Sequence, residues 1–170
     1  MIHPVVKYGN AVLEKHAETV TVFDRELSRL LDDMFESMYA AQGVGLAAPQ
    51  IGISRRIAVI DITSGKDPKA KLVLINPEII STEGQQKKEE EGCLSVPGFR
   101  EKVKRPARAT VRALDAKGKQ FTMTGEGLLA RAFCHETDHL NGRLFLSHLS
   151  TLKRDLIVRR IRKMIKAEEW

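Results

Sequence analysis

The run His135-Glu136-Thr137-Asp138-His139 constrains this chain more than any other feature of its sequence. Two histidines four residues apart share one face only on an α-helix, so the segment is read as helical. Both imidazoles then reach one metal ion, and Glu136 reaches a water bound to it. A third ligand has to come from elsewhere in the chain. Cys93, in Glu91-Gly92-Cys93-Leu94-Ser95, is the candidate: the small Gly92 lets the backbone come close to a metal, and Ser95-Val96-Pro97-Gly98 reads as a bend. One thiolate and two neutral imidazoles leave a fourth position for water, the pattern of a catalytic rather than a structural site. They also leave a divalent ion with net positive charge, enough Lewis acidity to activate that water.

The surroundings of the motif support a helix. Gly125 and Gly127 precede a helical run from Leu128 to about Asn141, with Gly142 at its end. Upstream, Asp24 reads as an N-cap, followed at helical spacing by Leu27, Leu30, Leu31, Met34, Phe35 and Met38, with Gly43 as a stop. Short β-branched runs at Ile57 to Ile60 and Leu72 to Ile75 read as strands, the second interrupted by Asn76-Pro77. Gln85 to Glu90 is charged and reads as exposed. Arg108 to Leu114 and Gln120 to Thr124 alternate as strands around an Asp115-Ala116-Lys117-Gly118 hairpin turn. A last helix starts near Thr151, capped by Ser150, with Leu152, Leu156, Ile161, Met164 and Ile165 as its apolar stripe. The expected fold is α+β, with mostly antiparallel sheet around the central HExxH helix and a helix towards each end.

The chain has 170 residues, 42% of them hydrophobic and 29% charged, which suits one folded domain over residues 1–170. No apolar stretch is long enough to span a bilayer, and Met1-Ile2-His3-Pro4 lacks the pattern of a signal peptide. The expected location is the cytoplasm, where Cys93 and Cys134 would not pair as a disulfide. Net charge is +6, and much of it lies in residues 151–170. There Lys153, Arg154, Arg159, Arg160, Arg162, Lys163 and Lys166 face only Asp155, Glu168 and Glu169.

Gly43-Val44-Gly45-Leu46-Ala47-Ala48-Pro49-Gln50 has two readings. It is either a small-residue loop packed on the core, or a loop against which an extended substrate backbone pairs while the Gln50 amide donates to an oxyanion.

Together, the Gly43–Gln50 segment, Glu91–Ser95 and His135–Leu140 resemble the three signatures of the peptide deformylase family, in the same order and separation. The likeness continues through Val103-Lys104-Arg105, Gly127 to Arg131, Asn141 to Phe145 and the opening Pro4 to Val20. The Glu-Gly-Cys-Leu-Ser form and the C-terminal helix resemble the type 1 bacterial enzymes. The resemblance implies a hydrolase of protein biosynthesis that removes the formyl group from N-formylmethionine on new polypeptides and releases formate. Cys93, His135 and His139 would bind the metal and Glu136 would carry protons. Gln50 and the Leu94 N–H would stabilise the oxyanion. The substrate backbone would run along Gly45 and the Glu91–Gly92 region, with the methionine side chain near Val44, Leu128, Ala132 and His135.

Ligand chemistry alone points to zinc; the resemblance implies Fe(II), with zinc, nickel or cobalt able to substitute. It also implies that Asp138 fixes the site through an arginine, with Arg105 as the candidate, or else merely faces solvent. Arg100 is either a contact to the substrate chain or a surface charge, and Arg131 reads as solvated. The basic last helix is either a solvated face or a contact to ribosomal RNA phosphates. The expected protein is a monomer with no membrane partner.

Two positions depart from the family pattern. Thr137 stands where an apolar residue is usual, and Cys134 where glutamine is common; Cys134 reads as structural, pointing about 100° away from His135. His3, His16 and His148 show no ligand spacing. Two other readings compete: an HExxH metallopeptidase, disfavoured by the thiolate and the Gln50 loop, and a ribosome- or RNA-associated protein with a vestigial site, disfavoured by the intact Glu136.

Overall fold

The computed structural model describes residues 1–170. Its elements are α1 (Arg25–Ala40), β1 (Gly45–Ala47), β2 (Ile57–Ile60), β3 (Leu72–Glu83), β4 (Lys87–Gly92), β5 (Arg100–Arg105), β6 (Arg108–Leu114), β7 (Gln120–Glu126), α2 (Leu128–Leu140) and α3 (Thr151–Lys166), with short 3-10 turns between some of them. A five-stranded sheet runs in the order β1-β2-β3-β6-β7, and β4-β5 form a separate pair. Every strand pairing is antiparallel. The α+β expectation therefore holds. No helix is long and apolar enough to cross a membrane.

The large sheet is covered on both faces, which explains why β2, Ile-Ala-Val-Ile, is buried throughout. Successive strand residues point to opposite sides. Ile57 and Val59 join Leu46 and Ile75 against Leu27, Leu31, Met34 and Met38 of α1. Ala58 and Ile60 join Ala47, Leu74 and Val111 against Phe133 and Leu140 of α2. Each fully buried aliphatic of these layers contributes roughly 1.5–3 kcal/mol. The alanines Ala47, Ala58 and Ala113 lie on the α2 side, where small side chains let the motif-bearing helix sit close to the sheet.

Helix starts follow the sequence closely. The Asp24 side chain accepts from Leu27 N, and the Ser150 hydroxyl accepts from Lys153 N. The α1 helix ends at Ala40, before Gly43, because Gln42 already adopts a left-handed conformation with φ 59°. Asn76-Pro77 does not end its strand. Register shifts between Ile75 and Glu78 and between Ile79 and Ser81 form bulges that absorb the proline, which has no N–H to give. Asn76 takes φ 51°, and its side-chain amide pairs with both Val20 N and Val20 O at 2.9 Å. The charged stretch from Gln85 is exposed as expected, but most of it is strand β4, hydrogen-bonded to β5.

The apolar stripe of α3 is rotated from its expected position. Ile157 and Ile161 are buried against Val96, Val103, Phe145 and Leu146, whereas Leu152 and Leu156 face solvent. The helix packs on the β4-β5 side of the molecule, and the surface available there decides which of two overlapping apolar faces goes in.

Candidate metal centre

Helix α2 carries His135 and His139 on one face, with ring centroids 4.9 Å apart. Cys93, just past the end of β4, comes up against them from the other sheet. Its Sγ lies 3.3 Å from His139 Nε2, which lies 3.2 Å from His135 Nε2. All three donor atoms fall within 4.8 Å of one another. Burial alone would raise the Cys93 thiol, but the neighbouring His139 and His135 bring it down to about 5, toward the thiolate form. One thiolate and two imidazole nitrogens converging on one point fit a transition-metal cation.

The tautomer of His135 is set by a buried carboxylate. Glu91 can only accept, so His135 Nδ1 carries the proton and donates to Glu91 Oε2 at 2.8 Å. The Nε2 lone pair is then left for the cluster. Glu91 itself accepts from Arg105 Nε at 3.1 Å and Nη2 at 2.8 Å, and from Arg131 Nη1 at 3.0 Å. Burial opposes its ionisation, yet hydrogen bonds from His135 and Arg105 hold it far below the usual carboxylate range. Arg105 continues to Asp138 Oδ2 at 2.8 Å. Burial would raise Asp138, but His148 and Arg105 keep it low. The expected Asp138–Arg105 pair is present.

Three side chains are held in ways that the sequence readings above do not give, and one of those readings, a solvated Arg131, is overturned. Glu91 lines the cleft, but both its carboxylate oxygens are taken up by Arg105, Arg131 and His135. Arg131 is buried rather than solvated, and it also donates to Val103 O at 3.0 Å and Lys87 O at 3.2 Å, tying α2 to both strands of the small sheet. Its place one turn before His135 was the available signal, since residues four apart share a face. His148 is no ligand, but its Nε2 lies 2.8 Å from Asp138 Oδ2, an approach made by chain folding that spacing does not reveal.

Glu136 sits beside the ligands, and its Oε1 is buried with no hydrogen-bond partner. Burial raises its pKa against the opposing pull of His135 and His139. Its other oxygen lies against Gly45, where an added Cβ would come within 2.5 Å of it. Gln50 is buried in the 3-10 turn Ala48–Ile51, with Oε1 accepting from Ala47 N at 3.0 Å. Its Nε2 donates to Ser95 Oγ at 3.2 Å and faces Cys93 Sγ at 3.6 Å. Nothing in the sequence distinguishes Ser95 for this role beyond its place in the Glu91–Ser95 signature.

A cleft of about 630 Å³ opens onto this cluster. Val44, Gly45, Gln50, Glu91, Gly92, Leu94, Arg100, Leu128 and Ala132 line it together with Cys93, His135 and Glu136. His139, the most buried of the three cluster residues, does not line the cleft, and neither do Arg105 and Asp138. Arg100 is exposed, 3.8 Å from Glu90. Cys134 faces a separate cavity behind α2 and, like Cys93, is a free thiol; burial raises its pKa.

The polypeptide deformylase family model matches residues 2–155. A peptide deformylase of Acidobacterium capsulatum is 61% identical over 170 residues, covering 100% of this chain and 99% of that protein. One from Rhizobium meliloti is 44% identical over 165 residues, with 97% and 95% covered. The crystal structure of a peptide deformylase from Legionella pneumophila superposes with a TM-score of 0.90 at 49% identity, covering 99% of this chain and 98% of that one. A Synechococcus elongatus peptide deformylase in complex with actinonin gives 0.88 at 38% identity, with 94% and 89% covered. The match over residues 2–155 and the 61% identity over the whole chain show that this protein belongs to the polypeptide deformylase family.

Proposed function

We propose that this chain, as one catalytic domain, hydrolyses the formyl group from N-formylmethionine at the start of nascent polypeptides, releasing formate and a free amine. The observation that carries this reading is the convergence of Cys93, His135 and His139 into one donor cluster whose Cys93 and His135, with the unpartnered Glu136 Oε1 beside them, face an open cleft. The resident metal is Fe(II), for which zinc, nickel or cobalt can substitute. Cys93, His135 and His139 would hold it, and when bound it would supply Lewis acidity toward a carbonyl and toward water.

The residues divide the remaining work. Glu136, its carboxyl raised by burial, takes a proton from the attacking water and returns it to the departing nitrogen. Water adds to the formyl carbon, the C–N bond breaks, and the amine leaves protonated. The Gln50 Nε2–H and the Leu94 N–H donate to the oxygen on which charge develops. Gly45 and Gly92 give the peptide backbone room to lie against the cleft wall. Val44, Leu128 and Ala132 receive the methionine side chain, and Arg100 meets the chain beyond it. Glu91, Arg105 and Asp138 hold His135 in register. The enzyme acts as a cytoplasmic monomer that reaches the ribosome through the basic face of α3.

The test is formate release from formyl-Met-Ala-Ser by protein prepared without oxygen and loaded with Fe(II) or Ni(II), beside Glu136→Ala. Release that disappears in the variant is expected. Cleavage of an unformylated peptide without formate release from the formylated one would instead favour a metallopeptidase.

A further inference from the structure

The Val96–Arg100 stretch is a continuous part of the cleft lining. Its ends are held, Val96 by burial and by its N donating to Cys93 O at 3.0 Å and Arg100 by pairing with Gly92, but between them the only backbone hydrogen bond is Phe99 N to Val96 O at 3.4 Å. Gly98 turns the chain at φ 85°, and no atom lies within 4 Å of where its Cβ would be. The part left to be held by side-chain packing is Pro97–Phe99.

Behind it stands Trp170, the only tryptophan of the chain. Its ring lies 6.2 Å from that of Phe99, tilted by 55°, a favourable aromatic pairing. Its indole Nε1 donates to Tyr8 O at 2.9 Å, and Tyr8 N donates to Ser95 O at 2.8 Å, closing a brace around the wall. The chain bends back after α3 to reach this position. Glu168 adopts φ 59°, a left-handed conformation that L-residues take at a cost of roughly 1 kcal/mol, and Glu169 N donates to Met164 O at 2.8 Å. A turn held against its intrinsic preference delivers the indole to the rear of the cleft.

We infer that Trp170 is a positioning residue for substrate: through Phe99 it holds the Val96–Arg100 wall against the bound peptide. This rests on the deformylase reading above. Trp170 touches no reacting atom, so its contribution falls on KM rather than kcat.

The experiment uses the metal-loaded full chain with formyl-Met-Ala-Ser. Trp170→Ala raises KM about threefold to tenfold, the equilibrium worth of one aromatic pair, while kcat stays within about twofold. Trp170→Phe restores most of the loss, which a general folding defect would not allow. In a Phe99→Ala background, adding Trp170→Ala changes KM no further, because the effect passes through that ring. Emission from the single tryptophan also shifts saturably as the product peptide Met-Ala-Ser is added. An active parent with an unchanged KM in Trp170→Ala, full additivity with Phe99→Ala, or flat emission at peptide concentrations that inhibit turnover overturns this inference alone. A folded, metal-loaded parent that releases no formate overturns the deformylase reading and this inference with it.

Discussion

At Gly45 the backbone runs so close to the Glu136 carboxylate that a single methyl group has no place: it would sit 2.5 Å from Oε2. Gly45→Ala therefore pushes Glu136 away from the ligands without touching the core of the sheet. Deformylase kcat is expected to fall about a hundredfold, the scale associated with an ångström of displacement at a reacting group, while far-UV circular dichroism stays that of the parent. Retained activity would show that Glu136 has freedom the packing does not suggest. His135, His139 and Glu136 were legible in the sequence because helical spacing alone places them together, whereas Cys93 was legible only from its Glu91–Ser95 setting. Gln50 was legible as one of two readings. The occupation of the Glu91 carboxylate was not, because it depends on Arg105 from a strand and Arg131 from a helix meeting at one point. The sequence separates these partners by 14 and 40 residues from Glu91.

Between α1 and the end of β2, Tyr39 donates to Asp61, a buried carboxylate that also accepts from Thr63 Oγ1, Thr63 N and Gly65 N. Burial, then the Asp61 hydrogen bond, raises the Tyr39 phenol to about 12, against about 10 when unfolded. The folded state holds this proton more tightly. The resulting stability is complete below pH of about 10 and is lost as the pH climbs through the folded value. Burial would raise Asp61, but Thr63 and then Tyr39 lower it, so its contribution is lost at the acid end instead. Urea unfolding between pH 9 and about 12 should show a steeper loss of stability for the parent than for Tyr39→Phe; parallel curves would remove the phenol from the account. At this scale, α1, α2 and the β6-β7 hairpin were legible from one clean period, and β2 from its short unbroken apolar run. The β4-β5 pair was hidden because β4 is exposed on both faces at Lys87 to Glu90, so no apolar alternation marks it. The α3 stripe was misplaced because Leu152 and Leu156 continue its apolar pattern but have nothing to pack against.

Across the whole molecule, positive charge gathers on α3, where Arg159, Arg160, Arg162, Lys163 and Lys166 are exposed while Ile157 and Ile161 anchor the helix. Reversing the charge of Arg159 and Lys163 should leave turnover of a tripeptide unchanged and weaken binding to ribosomes. The slope of log affinity against log salt should shrink by about 0.7–0.9 for each phosphate that is no longer neutralised. Equal salt slopes for parent and variant would assign the basic face to solvation alone. The fold class was legible at this scale because strand-like and helix-like periods alternate along the chain and the β6-β7 hairpin marks an antiparallel sheet. The division into two sheets was not, since it follows from the pairing of β4 with β5 and of β3 with β6.

That division gives the ligand cluster a mechanical role. Cys93 belongs to the small sheet's end, and His139 to the helix laid on the large sheet, 46 residues further along the chain. An ion gripped by both is a reversible cross-link. Like a disulfide closing a loop of that size, it removes conformational freedom from the unfolded chain on the order of 4 kcal/mol. Chelation should therefore lower the melting temperature and speed amide exchange in β4 and β5, leaving β6 and β7 nearly as protected as before. Inactivation by metal loss would then begin as a parting of two sheets, with the larger one still folded.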